Sequence, residues 1–137
     1  MSPSRPSPSE LIQLAAETAE QAYAPYSNYR VGAALVTTEG VVFTGCNVEN
    51  ASYGLCNCAE RTAVFTAVRE GYKRFNEIAI VAPGDTPPYP CGACRQVLAE
   101  FCGPDCRIYV ACSTNLTSHE EMSLGDLLPK AFSFKDR

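Results

Sequence analysis

Three cysteines and one glutamate carry the chemistry this sequence offers. Cys91 and Cys94, in Pro90-Cys91-Gly92-Ala93-Cys94, are spaced so that both thiolates can reach one metal ion. Cys58, in Cys58-Ala59-Glu60, offers a third thiolate from elsewhere in the chain. A structural zinc site is closed by a fourth protein ligand. Three ligands leave one position open, where zinc binds water and makes it acidic. Glu60 lies two residues past Cys58, within reach of such a water and its proton.

Three thiolates on Zn²⁺ leave a net charge of about -1, which works against an acidic water. Arg61, Arg95 and the positive ends of two helices are the groups that could offset it. Arg61, beside Glu60, is expected to donate to one or more ligand sulfurs.

Other readings of the same thiols stay open at this point. Cys56-Asn57-Cys58 offers two candidates for the first ligand. Cys58 is preferred, because only it has Glu two residues on and begins a helix. Cys91-Gly92-Ala93-Cys94 after a strand also suits a thiol-redox motif. A closed structural site could take Cys56 or Cys46 as fourth ligand. Glu60 discriminates, since neither a redox nor a structural site has a use for it. Cys46, Cys102, Cys106 and Cys112 read as small core or surface residues. His119, the only histidine, follows Ser118 in a turn-like, solvated region. Ser-His triads and His-rich zinc hydrolase sites are thereby excluded.

Both ligand groups fall at helix starts that follow loops, where thiolates are favoured. The first helix opens at Ser7-Pro8-Ser9-Glu10, a capping box with Pro at its first position. Leu11, Leu14, Ala15, Thr18, Ala19 and Ala22 then make one apolar stripe, and Pro25 ends it. Val31 to Thr37 and Val41 to Glu49 read as a hairpin about Glu39-Gly40. Residues 50–57 form a loop. A helix runs from Cys58 to about Glu70, with Ala63, Val64, Ala67 and Val68 inward and Gly71 as stop. Ile78 to Ala82 is wholly apolar, as a buried central strand requires. Pro83 to Pro90 holds four prolines and is a fixed loop. Cys91 opens a helix that ends at Gly103. Arg107 to Cys112 is a strand, and Ser123 to Leu128 a brief capped helix.

Only about seven residues separate Cys112 from a short strand near Glu120 to Met122. That is too few for a parallel crossover, so the last two strands pair antiparallel. The order of elements predicts an α/β sandwich with a mixed sheet. No repeat or second domain is visible, and 137 residues suit one core.

Lys and Arg number 11 against 15 Asp and Glu, a net charge of -4. No basic stripe of the kind a nucleic-acid binder carries is present. The densest basic pair, Lys73-Arg74, reads as a solvated helix end. A small substrate of little charge fits better, with no membrane partner. Residues 1–7 are rich in Ser and Pro and are expected to be a disordered tail, leaving residues 8–137 as a single domain. The chain lacks a signal-peptide core and an apolar run of membrane-spanning length, so a cytoplasmic location with reduced cysteines is expected.

A metal ligand, any residue, Glu, and later Pro-Cys-x-x-Cys is the described signature of zinc deaminases, in which Cys can replace His as first ligand. The chain resembles the small, homotetrameric, zinc-dependent cytidine deaminases from about Leu11 to Phe134. The resemblance rests on Ala24-Pro25-Tyr26-Ser27, Val31-Gly32-Ala33-Ala34-Leu35, Gly45-Cys46-Asn47-Val48-Glu49-Asn50-Ala51, Cys58-Ala59-Glu60-Arg61-Thr62-Ala63, Pro90-Cys91-Gly92-Ala93-Cys94-Arg95-Gln96 and Leu127-Leu128-Pro129.

It implies a cytidine deaminase-like three-layer sandwich, a mixed five-stranded sheet with helices on both faces. It implies one Zn²⁺ per chain on Cys58, Cys91 and Cys94, with Arg61 and Gln96 supporting the site. The implied activity is hydrolysis of cytidine and 2'-deoxycytidine to uridine and 2'-deoxyuridine plus ammonia, in pyrimidine salvage. Zinc-activated water adds to the ring carbon while Glu60 shuttles the proton. Asn47 and Glu49 would hold the ribose hydroxyls, and the Ala59 backbone and Glu60 would contact the base. Ala51 and Tyr53 would lie on a loop crossing a subunit interface. Phe132 would stack on the base bound in a neighbouring subunit, so that a homotetramer shares its sites. Tyr29 stands where the family commonly has Phe, and Arg30 where Pro is usual. The Tyr29 ring can still face the substrate, but its hydroxyl needs a partner or water. The zinc motif also occurs in deaminases of other aminopyrimidine nucleosides, blasticidin-type enzymes among them; Asn47-x-Glu49-Asn50 favours a plain nucleoside. The alternative of another class is a non-catalytic zinc-stabilised or thiol-redox module.

Overall fold

The computed structural model describes residues 5–134. Along the chain come α1 (Pro8–Ala19), β1 (Gly32–Thr37), β2 (Val42–Cys46), a 3₁₀ turn (Tyr53–Leu55), α2 (Ala59–Arg69), β3 (Phe75–Ala82), α3 (Gly92–Phe101), β4 (Arg107–Cys112), β5 (Asn115–Ser123) and α4 (Leu124–Leu127). The five strands form one sheet in the order β2-β1-β3-β4-β5. Only β3 and β4 run parallel; α3 makes their crossover.

The three inner strands are buried on both faces, so their side chains alternate between two cores. Ala33, Leu35, Ile78, Ile80, Ile108 and Val110 face α2, α3 and α4. Ala34, Val36, Ala79, Val81, Tyr109 and Ala111 face α1. This is the three-layer α/β sandwich with a mixed five-stranded sheet that the resemblance implies. Two glycines let the helices sit close. A Cβ on Gly32 would lie 1.9 Å from the Ala15 carbonyl oxygen of α1. A Cβ on Gly45 would lie 2.3 Å from the Ala63 nitrogen of α2. No helix among the described residues is long and apolar enough to cross a membrane.

The Ser7–Glu10 capping box forms as expected, with Ser7 N donating to Glu10 Oε1 at 2.8 Å and Glu10 N donating to Ser7 Oγ at 3.1 Å. The expected tail at residues 1–7 falls partly outside the described residues. Within them, the Arg5 guanidinium donates to the carbonyls of Thr37 and Thr38.

Several boundaries differ from the sequence reading. α1 stops at Ala19, six residues before Pro25. There the chain tightens into three-residue turns, and Tyr23 pairs instead with the 47–49 segment: Tyr23 N donates to Asn47 O, and Glu49 N to Tyr23 O. Ile12, outside the expected stripe, is fully buried, while Leu14 is half-buried. β2 ends at Cys46, so Asn47 to Glu49 lie beyond the sheet. β3 begins at Phe75, three residues early, because Asn76 and Glu77 hide the strand pattern. β5 runs nine residues rather than three, joined to β4 through Ser113 and Thr114. It pairs antiparallel with β4, as the loop length requires. His119 therefore sits on β5 and not in a turn, half-buried with its ring edge-on to Tyr109 at 6.1 Å.

Candidate active site

Cys58 is the N-cap of α2 and Cys91 the N-cap of α3. Each thiol thus meets the unpaired N–H groups of a helix start. Cys91 Sγ accepts from Cys94 N at 3.4 Å, a capping bond made by sulfur. The two helices bring the Sγ atoms of Cys58, Cys91 and Cys94 within 4.8 Å of one another. Cys58 and Cys91 stand 4.0 Å apart, and Cys91 and Cys94 3.4 Å. Tetrahedral zinc with Zn–S bonds of ~2.3 Å sets its sulfurs ~3.8 Å apart. The three sulfurs therefore fit zinc with little movement. Cys56 does not join the cluster. Its Sγ accepts from Asn50 N at 3.3 Å and closes the 50–56 loop. None of the eight cysteines is in a disulfide.

Arg61 Nη2 donates to Cys58 Sγ at 3.3 Å. Its Nε is buried without a hydrogen-bond partner among the described residues. The hydrogen bond shared with Cys94, and after it Arg61, draws the Cys58 thiol down to about 5. The same sharing, with burial behind it, pushes Cys94 up. Arg61 rises in turn, chiefly through its bond to Cys58. Glu60, in the first turn of α2, is only 5% exposed. Burial pushes its carboxyl up to about 7, and the charge on Cys58 adds to this.

A cavity of about 280 Å³ opens beside these groups. Its lining brings Cys58, Ala59, Glu60 and Cys91 together with Asn47, Glu49 and Tyr29. The Asn47 amide is fixed by Val31 N, which donates to Oδ1 at 2.8 Å, and by Tyr29 O, which accepts from Nδ2 at 2.9 Å. Glu49 accepts from Ser27 Oγ, from Tyr26 N at 3.0 Å and from Ser27 N at 3.2 Å. The Ser27 hydroxyl, first among these donors, lowers its pKa. The Tyr29 hydroxyl is raised by burial first, then by Cys112 and Glu60. Larger hollows elsewhere, of about 470 and 650 Å³, include none of the clustered thiols.

Four of the residues read from the sequence, Ala51, Tyr53, Gln96 and Phe132, do not line this cavity. Ala51 and Tyr53 lie on the exposed 50–56 loop, where Tyr53 is 75% exposed and edge-on to Tyr26. Phe132 is half exposed and packs edge-on against Phe134 at 5.0 Å. Gln96 also sits away from the sulfurs, its Nε2 donating to Phe132 O at 3.1 Å. Pro88 and Tyr89 line the cavity and were missed by the sequence reading. Their place just before Pro90-Cys91 was the available signal.

The zinc-binding region of cytidine and deoxycytidylate deaminases matches residues 6–112. The chain belongs to this family. A cytidine deaminase of Sporosarcina psychrophila is 48% identical over 128 residues, 93% of this chain and 92% of that one. One from Halalkalibacterium halodurans is 50% identical over 127 residues, 92% and 94% of the two chains. The crystal structure of cytidine deaminase from Burkholderia pseudomallei superposes with a TM-score of 0.84 at 54% identity, covering 89% of this chain and 96% of that one. Zinc is the metal of this deaminase family, and the three-thiol cluster suits it.

Proposed function

We propose that this deaminase hydrolyses cytidine and 2'-deoxycytidine to uridine and 2'-deoxyuridine, releasing ammonia. The observation that carries the reading is a buried carboxylate, Glu60, sharing one small cavity with two of the three clustered thiols, Cys58 and Cys91, and with two fixed polar anchors. Zinc held by Cys58, Cys91 and Cys94 would supply the Lewis acidity that makes water nucleophilic near neutral pH.

Glu60 does the proton work. Burial brings its pKa close to 7, where a carboxyl can both accept and return a proton. It takes a proton from the water that adds to the ring carbon and delivers it to the neighbouring ring nitrogen. It then assists the amino group, which leaves as ammonia when the C–N bond breaks and the carbonyl forms. Such transfer contributes ~10²–10⁴-fold to rate. Arg61, donating to Cys58, offsets the negative charge of the sulfurs. Asn47 and Glu49 are fixed by the 26–31 segment and offer their remaining lone pairs and N–H to ribose hydroxyls. A substrate without those hydroxyls would leave them unpaired. The Ala59 backbone and the Tyr29 ring border the base.

Residues 8–137 act as one deaminase domain, and the site is completed by a second chain. Tyr53, Phe132 and Phe134 are at least half exposed and turn away from their own cavity. Aromatics left open in this way on a small domain suit burial against another copy. In this reading four chains assemble, Phe132 stacks on the base held by a neighbour, and Ala51 and Tyr53 cross the same interface. The setting is pyrimidine salvage in the cytoplasm, where eight unpaired thiols persist. The test is loss of cytidine's ultraviolet absorbance on adding zinc-loaded protein; unchanged cytidine and deoxycytidine would sink the reading.

A further inference from the structure

We propose that Tyr89 is a positioning residue of this active site, lining the cavity that Glu60 and Cys91 share, with its hydroxyl held in place by Glu120 across the sheet. The inference rests on the nucleoside reading of the cavity. Tyr89 lines that cavity together with Glu60 and Cys91, and it stands two residues before Cys91. Its hydroxyl donates its hydrogen between both Glu120 oxygens, at 2.8 and 2.9 Å. Glu120 lies on β5 opposite Val110 of β4, so it shares a face with Val110 and with the α2, α3 side of the sheet. The tether therefore spans 31 residues of sequence and crosses β4 to reach the edge strand.

The segment is held on its other side too. Arg95 Nε donates to Pro90 O at 2.7 Å, and Arg95 Nη1 to Leu127 O at 2.9 Å. Between these anchors, Tyr89 N donates to Pro87 O at 2.9 Å, and Pro88 limits the backbone. The Tyr89 side chain, 44% exposed, is restrained by its bond to Glu120. Ordering one such side chain only on binding costs about two- to tenfold in affinity. A tether already made in the empty site avoids that loss. A plain surface staple would instead affect loop stability and leave nucleoside affinity unchanged.

The test compares zinc-loaded wild type with Tyr89→Phe, Glu120→Ala and the double variant. KM for cytidine should rise about threefold to tenfold in each single variant, with kcat within about twofold. Inhibition by the product uridine should weaken by the same factor. The double variant should be no worse than either single one, since all three break the same bond. Unchanged KM in Tyr89→Phe, additive effects in the double variant, or a loss confined to kcat would overturn the proposal. If wild type does not turn over cytidine, the nucleoside reading fails on its own. The positioning role is then judged by equilibrium binding of uridine, which should weaken about threefold to tenfold in Tyr89→Phe; unchanged binding would overturn it.

Discussion

At the metal end of the cavity, three sulfurs converge to within 4.8 Å from the first turns of two helices of one chain. At the tail end, Phe132 and Phe134 pack on each other, outside that cavity. The first region is complete within a single chain. The second stands at least half exposed on the surface. The difference teaches that two helix starts can gather a metal cluster within one chain, while aromatic side chains of the same chain stay outside the cavity beside it.

The largest effect should come from breaking the metal end. Cys94→Ala removes a fully buried ligand and should take zinc and thermal stability down together, because metal binding and folding are coupled. Metal analysis alongside a melting curve checks this; a stable, zinc-loaded Cys94→Ala protein would contradict it. Next comes Glu60→Gln, which keeps size and hydrogen bonding but cannot carry a proton. Zinc content should hold at one per chain while turnover drops at least ~10²-fold. Near-normal turnover would mean that another group moves the proton.

The tail end is tested by Phe132→Ala. Loss of base stacking should lower kcat/KM about tenfold. Mixing and reassembling Phe132→Ala with Glu60→Gln subunits should restore part of the activity, since some sites then draw both intact residues from different chains. An active monomer in sedimentation would end the two-chain account. The smallest effect belongs to Cys56→Ala. Cys56 bonds only to its own loop, so zinc should stay at one per chain. A lower content would bring Cys56 into the ligand set.

The parts legible in sequence were those specified locally. Ser7 and Glu10 close a capping box within four residues, and Arg107 to Cys112 are apolar enough to fix β4 without its neighbours. The clustered thiols were legible because Cys58 and Cys91 each begin a helix after a loop and Cys94 follows Cys91 by one turn. What stayed hidden depends on contacts distant in sequence. The end of α1 is set by the pairing of Tyr23 with residues 47–49, and nothing near Ala19 announces it. β5 is polar along most of its length, so edge position rather than composition makes it a strand. Tyr89 gains its place from Glu120, thirty-one residues away.

Gly32 and Gly45 have a bearing on how the molecule tolerates change. At both points a helix touches a strand backbone to backbone, with no side chain between them. The thickness of the sandwich there is set by peptide atoms, whose size no substitution alters. Core residues elsewhere can exchange one aliphatic shape for another and the spacing of the layers at these two points stays the same. α2, which carries Cys58 at its cap and Glu60 in its first turn, is thereby shimmed against β2 by a part that mutation cannot thin. Only a thicker part can be fitted, and the first methyl group at Gly45 would already lift the reaction centre off its bed.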